Sequence, residues 1–293
     1  MTVNESVRES VAAVIVNFNA GAALLDALQS LARDRNIDWQ AIVIDNASSD
    51  GSAEQVEAVG PWVHLVRNAE NVGFGRGVNQ GIAATTAPLV LLINPDCAIE
   101  PGATGALARV LRDDPECAIA GPKILDPDGG VQGSARGDPD MLTGLFGRTA
   151  ILRRFLPGSA AARRNVVRAE DVGSMDAGRV VDWLSGACML ARRSALDRVG
   201  GFDERYFLYW EDADLCRRLR GVGMNVRYVP KAVAVHQVGR SSRTARASSI
   251  RAFHRSAYLY YATHVAPGAW NPKRLLARTL LTARCWWRLR VEA

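Results

Sequence analysis

The sequence has no cysteine pairing pattern. Its five cysteines, Cys97, Cys117, Cys188, Cys216 and Cys285, are odd in number and scattered, with no C-x-x-C pair. That argues against a disulfide framework or a cysteine zinc site and fits a reducing, cytoplasmic setting. No apolar run is long enough to span a bilayer, and Met1 to Ser10, with Glu5, Arg8 and Glu9, does not read as a secretory leader. Histidine is scarce, with four in 293 residues. Internal repeats are missing, and so is the dinucleotide fingerprint: Gly73 to Gly77 reads G-x-G-x-G, without the final spacing or the acidic residue which that motif needs. Acidic residues are nearly absent from the C-terminal stretch. Arg240 to Ala293 holds ten arginines and Lys273 against Glu292, a net +10 in a chain whose total is +6, which leaves −4 for the first 239 residues. A mildly acidic body with a basic tail suggests that catalysis and anchoring are separated, because a polyanionic partner responds to clustered charge.

The hydrophobic content of 48% is enough for a large core, so one principal domain with an appendage is expected. Apolar, β-branched runs at Val11 to Val16, Ala41 to Ile44, Val63 to Val66 and Leu89 to Ile93 alternate with helical patterns at Ala22 to Ala32, Ala53 to Val59 and Val78 to Ala84. This βαβ order predicts a largely parallel sheet, buried on both faces, with function on the loops after the strands. Pro101 opens a further helix through Leu111. From Asp126 to Asp182 the pattern dissolves into Gly, Pro, Asp and Arg, the mark of a substrate loop or lid. Regular structure resumes at Val181 to Leu190, with helices at Arg193 to Val199 and Asp212 to Arg220 and a strand at Asn225 to Val229.

Several segments carry chemistry. Asp45, at a strand end, can accept the imide N–H of uracil or thymine, while Ser49, Asp50 or Ser52 can cap the next helix; capping and ligand binding both fit. Gly73, Gly75, Arg76 and Gly77 lie between a strand and a helix, where backbone N–H groups can approach a phosphate or a base. Asn94-Pro95-Asp96 ends a buried strand, either as a turn or as a carboxylate for a hard divalent cation. Glu211, Asp212 and Asp214 follow an aromatic run, which suits either a proton-accepting base or a helix N-terminus stabilised by its dipole. His236 closes the apolar stretch Ala232 to Val235 and is either a packed side chain or a ligand for a manganese-like ion.

In this order the segments resemble the inverting family-two glycosyltransferases of the GT-A fold, and most closely their bacterial rhamnosyltransferase branch. The marks are Val-Ile-Val-Asn-Phe-Asn at 14 to 19, Ile-Asp-Asn-Ala-Ser-Ser-Asp-Gly-Ser at 44 to 52, Asn-Val-Gly-Phe-Gly-Arg-Gly-Val-Asn at 71 to 79 and Asn-Pro-Asp at 94 to 96. Trp-Leu-Ser-Gly-Ala at 183 to 187, Gly-Gly-Phe-Asp-Glu-Arg-Tyr-Phe at 200 to 207, Glu-Asp-Ala-Asp-Leu at 211 to 215 and His236 complete the set. The resemblance implies an α/β, Rossmann-like domain over residues 9–239, with 126–182 as an acceptor-side insertion and 240–293 as a basic helical segment. It implies that Asn17 and Asp45 hold the pyrimidine, and that Asn71, Gly73, Arg76, Asn79 and Asn94 line the donor nucleotide pocket. Asp96 matches the last position of the family's D-x-D motif and would bind Mg²⁺ or Mn²⁺, with His236 as a further ligand. Asp212 matches the catalytic base; Trp183, Ser185, Gly186 and Glu211 match the acceptor side. Asn94 departs from the motif by replacing its first carboxylate with an amide, which lowers the expected metal affinity in the absence of nucleotide.

The implied reaction moves L-rhamnose from dTDP-β-L-rhamnose, or a sugar from a UDP donor, to a hydroxyl of a glycan or polyprenyl-diphosphate-linked saccharide, with inversion, in cell-envelope polysaccharide synthesis. Pro272 to Val291 reads as a helix. At 100° per residue Lys273, Arg274, Arg278, Arg284 and Arg288 fall within an arc of about 140°, opposite Leu275, Leu276, Leu280, Trp286 and Trp287, with Leu281 and Arg290 breaking the pattern. Such a helix suits peripheral attachment to the anionic cytoplasmic leaflet of the cell membrane; packing on the body or at a homodimer contact is the other reading. Two further functions compete: a non-catalytic sugar-nucleotide-binding partner, and a nucleic-acid-binding protein using the tail. The ordered acids of the body place the last well below an enzyme, so no nucleic-acid partner is expected.

Overall fold

The computed structural model describes residues 9–138, 178–237 and 246–292. Its first half is built from β1 (Glu9–Asn17), α1 (Ala23–Arg33), β2 (Ile37–Asp45), α2 (Ser52–Val56), β3 (Val63–Arg67), α3 (Phe74–Ala83), β4 (Leu89–Ile93), β5 (Cys97–Ile99), α4 (Ala103–Asp113) and β6 (Cys117–Leu125). After β7 (Ala135–Arg136) come β8 (Arg179–Val181), β9 (Trp183–Leu184), β10 (Cys188–Arg192), α5 (Arg193–Val199), α6 (Glu211–Gly221) and β11 (Asn225–His236). The chain ends with α7 (Arg246–Tyr260), a π-helical turn (Tyr261–Val265) and α8 (Pro272–Glu292).

The central sheet has the order β3-β2-β1-β4-β10-β6-β11-β5, with β8 also on β11, while β7 and β9 form a separate pair. Strands β3, β2, β1 and β4 pair in parallel, and β6 pairs in parallel with β11. Strand β10 lies antiparallel between β4 and β6, so those two still point the same way. The mostly parallel sheet expected from the βαβ order is present. Its order reverses beside β1 and β4, and a crevice at such a switch point is where α/β sheets bind ligands.

Burial on both faces explains the unbroken apolar strands. Val11, Ala13 and Ile15 of β1 pack with Leu24, Leu28 and Leu31 of α1 and Leu107 and Leu111 of α4. Val14 and Val16 point to the other face, against Val78 and Ile82 of α3 and, further along the layer, Leu215 and Leu219 of α6. Each fully buried leucine contributes on the order of 2 kcal/mol. Helix α3 begins at Phe74, ahead of its expected start, because its glycines hide the apolar period while letting it lie close to β1. A Cβ on Gly81 would stand 2.4 Å from Val14 Cγ1. Strand β11 runs past its expected end to His236, with a register shift between Val229 and Val233. This carries His236 beside Cys97, next to Asp96.

Cys97, Cys117, Cys188 and Cys216 are buried free thiols. Burial pushes Cys117 and Cys216 each up to about 12, which keeps them protonated and unreactive. No helix among the described residues is long and apolar enough to cross a membrane. The expected seam at 239/240 lies outside the described residues, and α7 beyond it is packed into the body. Ser256 Oγ donates to Leu208 O at 2.9 Å, and Phe253 meets Tyr209 and Trp210 at ring distances of 5.8 and 5.9 Å.

Candidate active site

A cavity of about 400 Å³ opens at the carboxyl ends of β1 and β4, lined on one side by Asn94, Asp96 and His236 and on another by Gly186, Glu211 and Asp212. The strands dictate this meeting. Strand β10 runs antiparallel to β4, so the turn before β10 returns to the end of β4, where Asn94 N–H donates to Ala187 O at 2.9 Å. Gly186 N–H donates to Asp212 Oδ2 at 3.0 Å, and Ala213 N–H donates to Asp212 Oδ1 at 2.8 Å. Both oxygens of a buried carboxylate are thereby oriented by backbone N–H groups.

The loop before Asp212 is strained. Tyr209 and Trp210 both have positive φ, 68° and 72°, at a cost on the order of 1–3 kcal/mol each for non-glycine residues. Aromatic packing offsets that strain: Trp210 lies 5.3 Å from Tyr260 and 5.9 Å from Phe253. Asp214 is turned away from the cavity, accepting from Arg218 Nε at 2.7 Å and lying 2.6 Å from His264 Nε2. Its buried carboxylate ties α6 to the π-helical turn. Of the three acids in the first turn of α6, Glu211 and Asp212 line the cavity and Asp214 does not.

On the opposite wall, His236 Nε2 lies 3.1 Å from Asp96 Oδ1 and 3.3 Å from Asn94 Nδ2. Gln132 Nε2 donates to Asp126 Oδ1 and to His236 O, both at 2.8 Å, which turns the Gln132 side-chain oxygen to accept from His236 Nδ1–H at 3.1 Å. With Nδ1–H given to Gln132, Nε2 faces the Asp96 carboxylate, and a nitrogen and an oxygen at this spacing suit either a shared proton or a divalent ion, with Gln132 as outer support. No cluster of three or more His, Cys, Asp or Glu suited to a metal occurs among the described residues. Water and substrate oxygens would have to complete the shell.

The family of this chain can be stated from its sequence profile. The family described as Glycosyltransferase like family 2 matches residues 8–258. The chain belongs to that family. A relative from Mycobacterium tuberculosis, named N-acetylglucosaminyl-diphospho-decaprenol L-rhamnosyltransferase, is 35% identical over 283 residues, covering 92% of this chain and 90% of the relative. Rhamnosyltransferase WbbL of Escherichia coli K12 is 42% identical over 83 residues, 28% of this chain and 31% of that one. Among solved structures, the mannosyltransferase PcManGT from Pyrobaculum calidifontis, in complex with GDP-Man and Mn²⁺, aligns with a TM-score of 0.57 at 15% identity, over 98% of this chain and 77% of that one. The protein is a rhamnosyltransferase-like glycosyltransferase of the GT-A fold.

The glycosyltransferase cavity gathers some of the residues expected from the sequence and leaves others behind its walls. Asn71, Gly73, Asn94, Asp96, Ser185, Gly186, Glu211, Asp212 and His236 line it. Asn17 and Asp45, expected to hold the pyrimidine, lie outside the lining: they are buried and adjacent by strand register, with Asn17 Nδ2 donating to Asp45 Oδ1 at 2.8 Å and to Ser52 Oγ at 2.8 Å. The N-cap of α2 is Gly51, with no side-chain cap; Asp50 just before it accepts from Ser52 Oγ–H, Ser52 N–H and Gly21 N–H, and although burial opposes ionisation, these bonds hold its carboxyl below the ordinary range. Asn79 lies outside the lining and clamps the 200–204 turn through both Phe202 N–H and Phe202 O. Arg76 pairs with Glu204 at 3.8 Å on the surface, and Trp183 is buried, donating to Gly137 O at 2.9 Å.

Other lining residues carried no signal of their own. Asn46 lines the cavity, donating to Asn71 Oδ1 and Gly73 O, both at 3.2 Å. It directly follows Asp45, and neighbours along a strand point opposite ways, so Asn46 faces the cavity where Asp45 does not. Gly73, at φ 91°, brings Phe74 N–H to Phe207 O at 2.8 Å; a Cβ there would fall 2.6 Å from that oxygen. Tyr209 and, from α7, Ser248, Ser249 and Ala252 close the remaining wall.

Proposed function

We propose that the protein is an inverting glycosyltransferase that moves L-rhamnose from dTDP-β-L-rhamnose to a hydroxyl of a polyprenyl-diphosphate-linked saccharide, giving an α-L-rhamnoside. The observation that carries this reading is the Asp212 carboxylate, held by Gly186 N–H in the same cavity as the Asp96–His236 pair. The acceptor oxygen attacks the anomeric carbon from the face opposite the diphosphate. Its proton passes to Asp212 as the new C–O bond forms. The anomeric bond to the nucleoside diphosphate breaks, and the diphosphate leaves with the electron pair. Asp96 and His236 would hold a divalent cation, which when bound would supply positive charge against that leaving group.

Asn46 and Asn71, which line the cavity, present amides to the nucleotide. Ser185 and Glu211 face the acceptor. The acceptor class is supported by the mycobacterial relative, whose name specifies a diphospho-decaprenol acceptor. A lipid-linked acceptor puts the enzyme at the cytoplasmic face of the cell membrane, in cell-envelope polysaccharide synthesis. The test is incubation of the purified chain with Mn²⁺, dTDP-rhamnose and an N-acetylglucosaminyl polyprenyl diphosphate. Release of dTDP with a rhamnosylated lipid is expected; transfer from UDP-sugars alone, or none from any donor, would overturn the reading.

A further inference from the structure

Helix α8 turns its apolar side away from the protein. Ala277 and Leu281 are its buried residues, and Arg274, Arg284 and Arg288 are half-buried on the same side. The opposite face is open and mostly apolar, with Thr279 and Arg290 exposed among its residues: Leu275 is 71% exposed, Leu276 50%, Trp286 55% and Trp287 56%, and Trp270 just before the helix is 98% exposed. A soluble body ordinarily packs such a face inward, and a contiguous exposed apolar surface marks an interaction site. The sequence showed two faces of unlike character; the structure adds that the greasy one points outward.

We propose that this outward face of α8 docks on an anionic lipid bilayer and holds the glycosyltransferase cavity at the membrane surface. The charge around this face selects its occupant. Arg246 to Glu292 carries nine basic residues and one acidic residue. Lys273 and Arg278 are exposed at the two edges of the apolar face, and Arg290 lies 3.6 Å over the Trp286 ring. Tryptophans and leucines at headgroup depth, flanked by cations, are how an amphipathic helix lies in an interface. A dry protein contact would have to desolvate those cations, whereas an anionic leaflet attracts them.

The geometry also links the face to the site. Helix α8 packs along α7, Arg251 of α7 lies within electrostatic reach of Cys285, next to Trp286, and Ser248, Ser249 and Ala252 of α7 line the cavity. Docking through α8 therefore fixes the cavity wall relative to the bilayer. This inference rests on the membrane placement in the proposed function, and it supplies the surface and orientation.

The experiment uses the full chain with vesicles of phosphatidylcholine alone and with added phosphatidylglycerol. Co-sedimentation with the anionic vesicles, weakening as salt is raised, is expected. Trp286→Ser with Trp287→Ser, or Leu276→Ser with Leu280→Ser, should reduce vesicle binding by roughly tenfold or more, with transfer to a water-soluble acceptor analogue unchanged. In the unaltered chain, bromine-labelled acyl chains should quench part of the tryptophan fluorescence, so the test survives a variant that fails to fold. Vesicle binding that is unchanged in both pairs, absence of quenching, or a dimer that Trp286→Ser with Trp287→Ser dissociates while no vesicle is bound would overturn it; the last would assign the face to a second copy. Vesicle binding with no sugar transfer from any donor would instead sink the enzymatic reading and leave the docking surface standing.

Discussion

The Gly186 backbone N–H points at Asp212 Oδ2 across 3.0 Å, joining the start of α6 to the turn between β9 and β10. That turn also meets the end of β4 through Ala187 O and Asn94 N–H at 2.9 Å. The side of the cavity suited to a proton acceptor is thus wired by backbone to the side suited to a cation. A small shift of either wall changes the distance between them, so substitutions behind the walls are expected to act on turnover as well as on stability.

Gln132 gives the first expectation. Gln132→Leu removes the oxygen that takes His236 Nδ1–H and frees the ring to rotate away from Asp96. The Mn²⁺ concentration for half-maximal transfer should rise by roughly 10–100-fold, the usual cost of losing an outer support to a ligating histidine. Unchanged metal dependence would remove Gln132 from the site.

Gly81 tests packing. A methyl group there must displace Val14, whose Cγ1 would lie 2.4 Å away. Gly81→Ala should destabilise the fold by about 1–3 kcal/mol in urea denaturation despite its better helix propensity. A gain in stability would show that α3 can move off β1 at little cost.

Tyr206 tests the opposite case. Its hydroxyl is buried without a hydrogen-bond partner among the described residues, and burial raises its pKa far above the usual phenol value. Tyr206→Phe should leave stability unchanged or raise it by about 1 kcal/mol, because an unsatisfied polar atom is removed and the ring stays packed. A loss of that size would instead reveal a partner for the hydroxyl.

Asp114 supplies the pH dependence. Burial raises its carboxyl pKa, but bonds from Asn225 Nδ2 at 3.1 Å and Arg227 Nε at 2.8 Å outweigh burial and bring it below the ordinary 3.8. Because the folded value is the lower one, this stabilisation is present in full above 3.8 and is lost as pH falls through the folded value. Asp114→Asn should therefore be less stable than the parent by on the order of 1 kcal/mol at neutral pH, with the gap closing below the ordinary carboxylate value. A gap that persists in acid would assign the loss to packing.

The legible parts of the molecule were those with one local cause. Strands β1 and β4 read clearly because both faces are buried, and α1 because its apolar period is clean. The first turn of α3 was hidden by Gly75 and Gly77, which lie close to Phe202 and Val16, contacts distant in sequence. Strand β6, interrupted by Pro122 and Lys123, did not read as a strand. At the site, carboxylates drew attention because their chemistry is distinctive. The amide of Asn46 and the packed serines of α7 gain meaning from tertiary placement alone. Gln132 lies in an irregular stretch where no periodicity marks it. The division of labour between Asp212 and Asp214 likewise depends on which side of α6 meets the cavity and which meets His264.

The most direct test is Asp212→Asn, assayed for rhamnosyl transfer and, separately, for dTDP-rhamnose binding by calorimetry. The amide preserves the shape of the side chain and an acceptor for one of the two N–H groups now bound, but it cannot take the acceptor's proton. The account predicts a fall in kcat of roughly 10²–10⁴-fold with donor affinity nearly unchanged. A variant that turns over at the parent rate, or one that loses donor binding in step with turnover, would contradict Asp212 as the base.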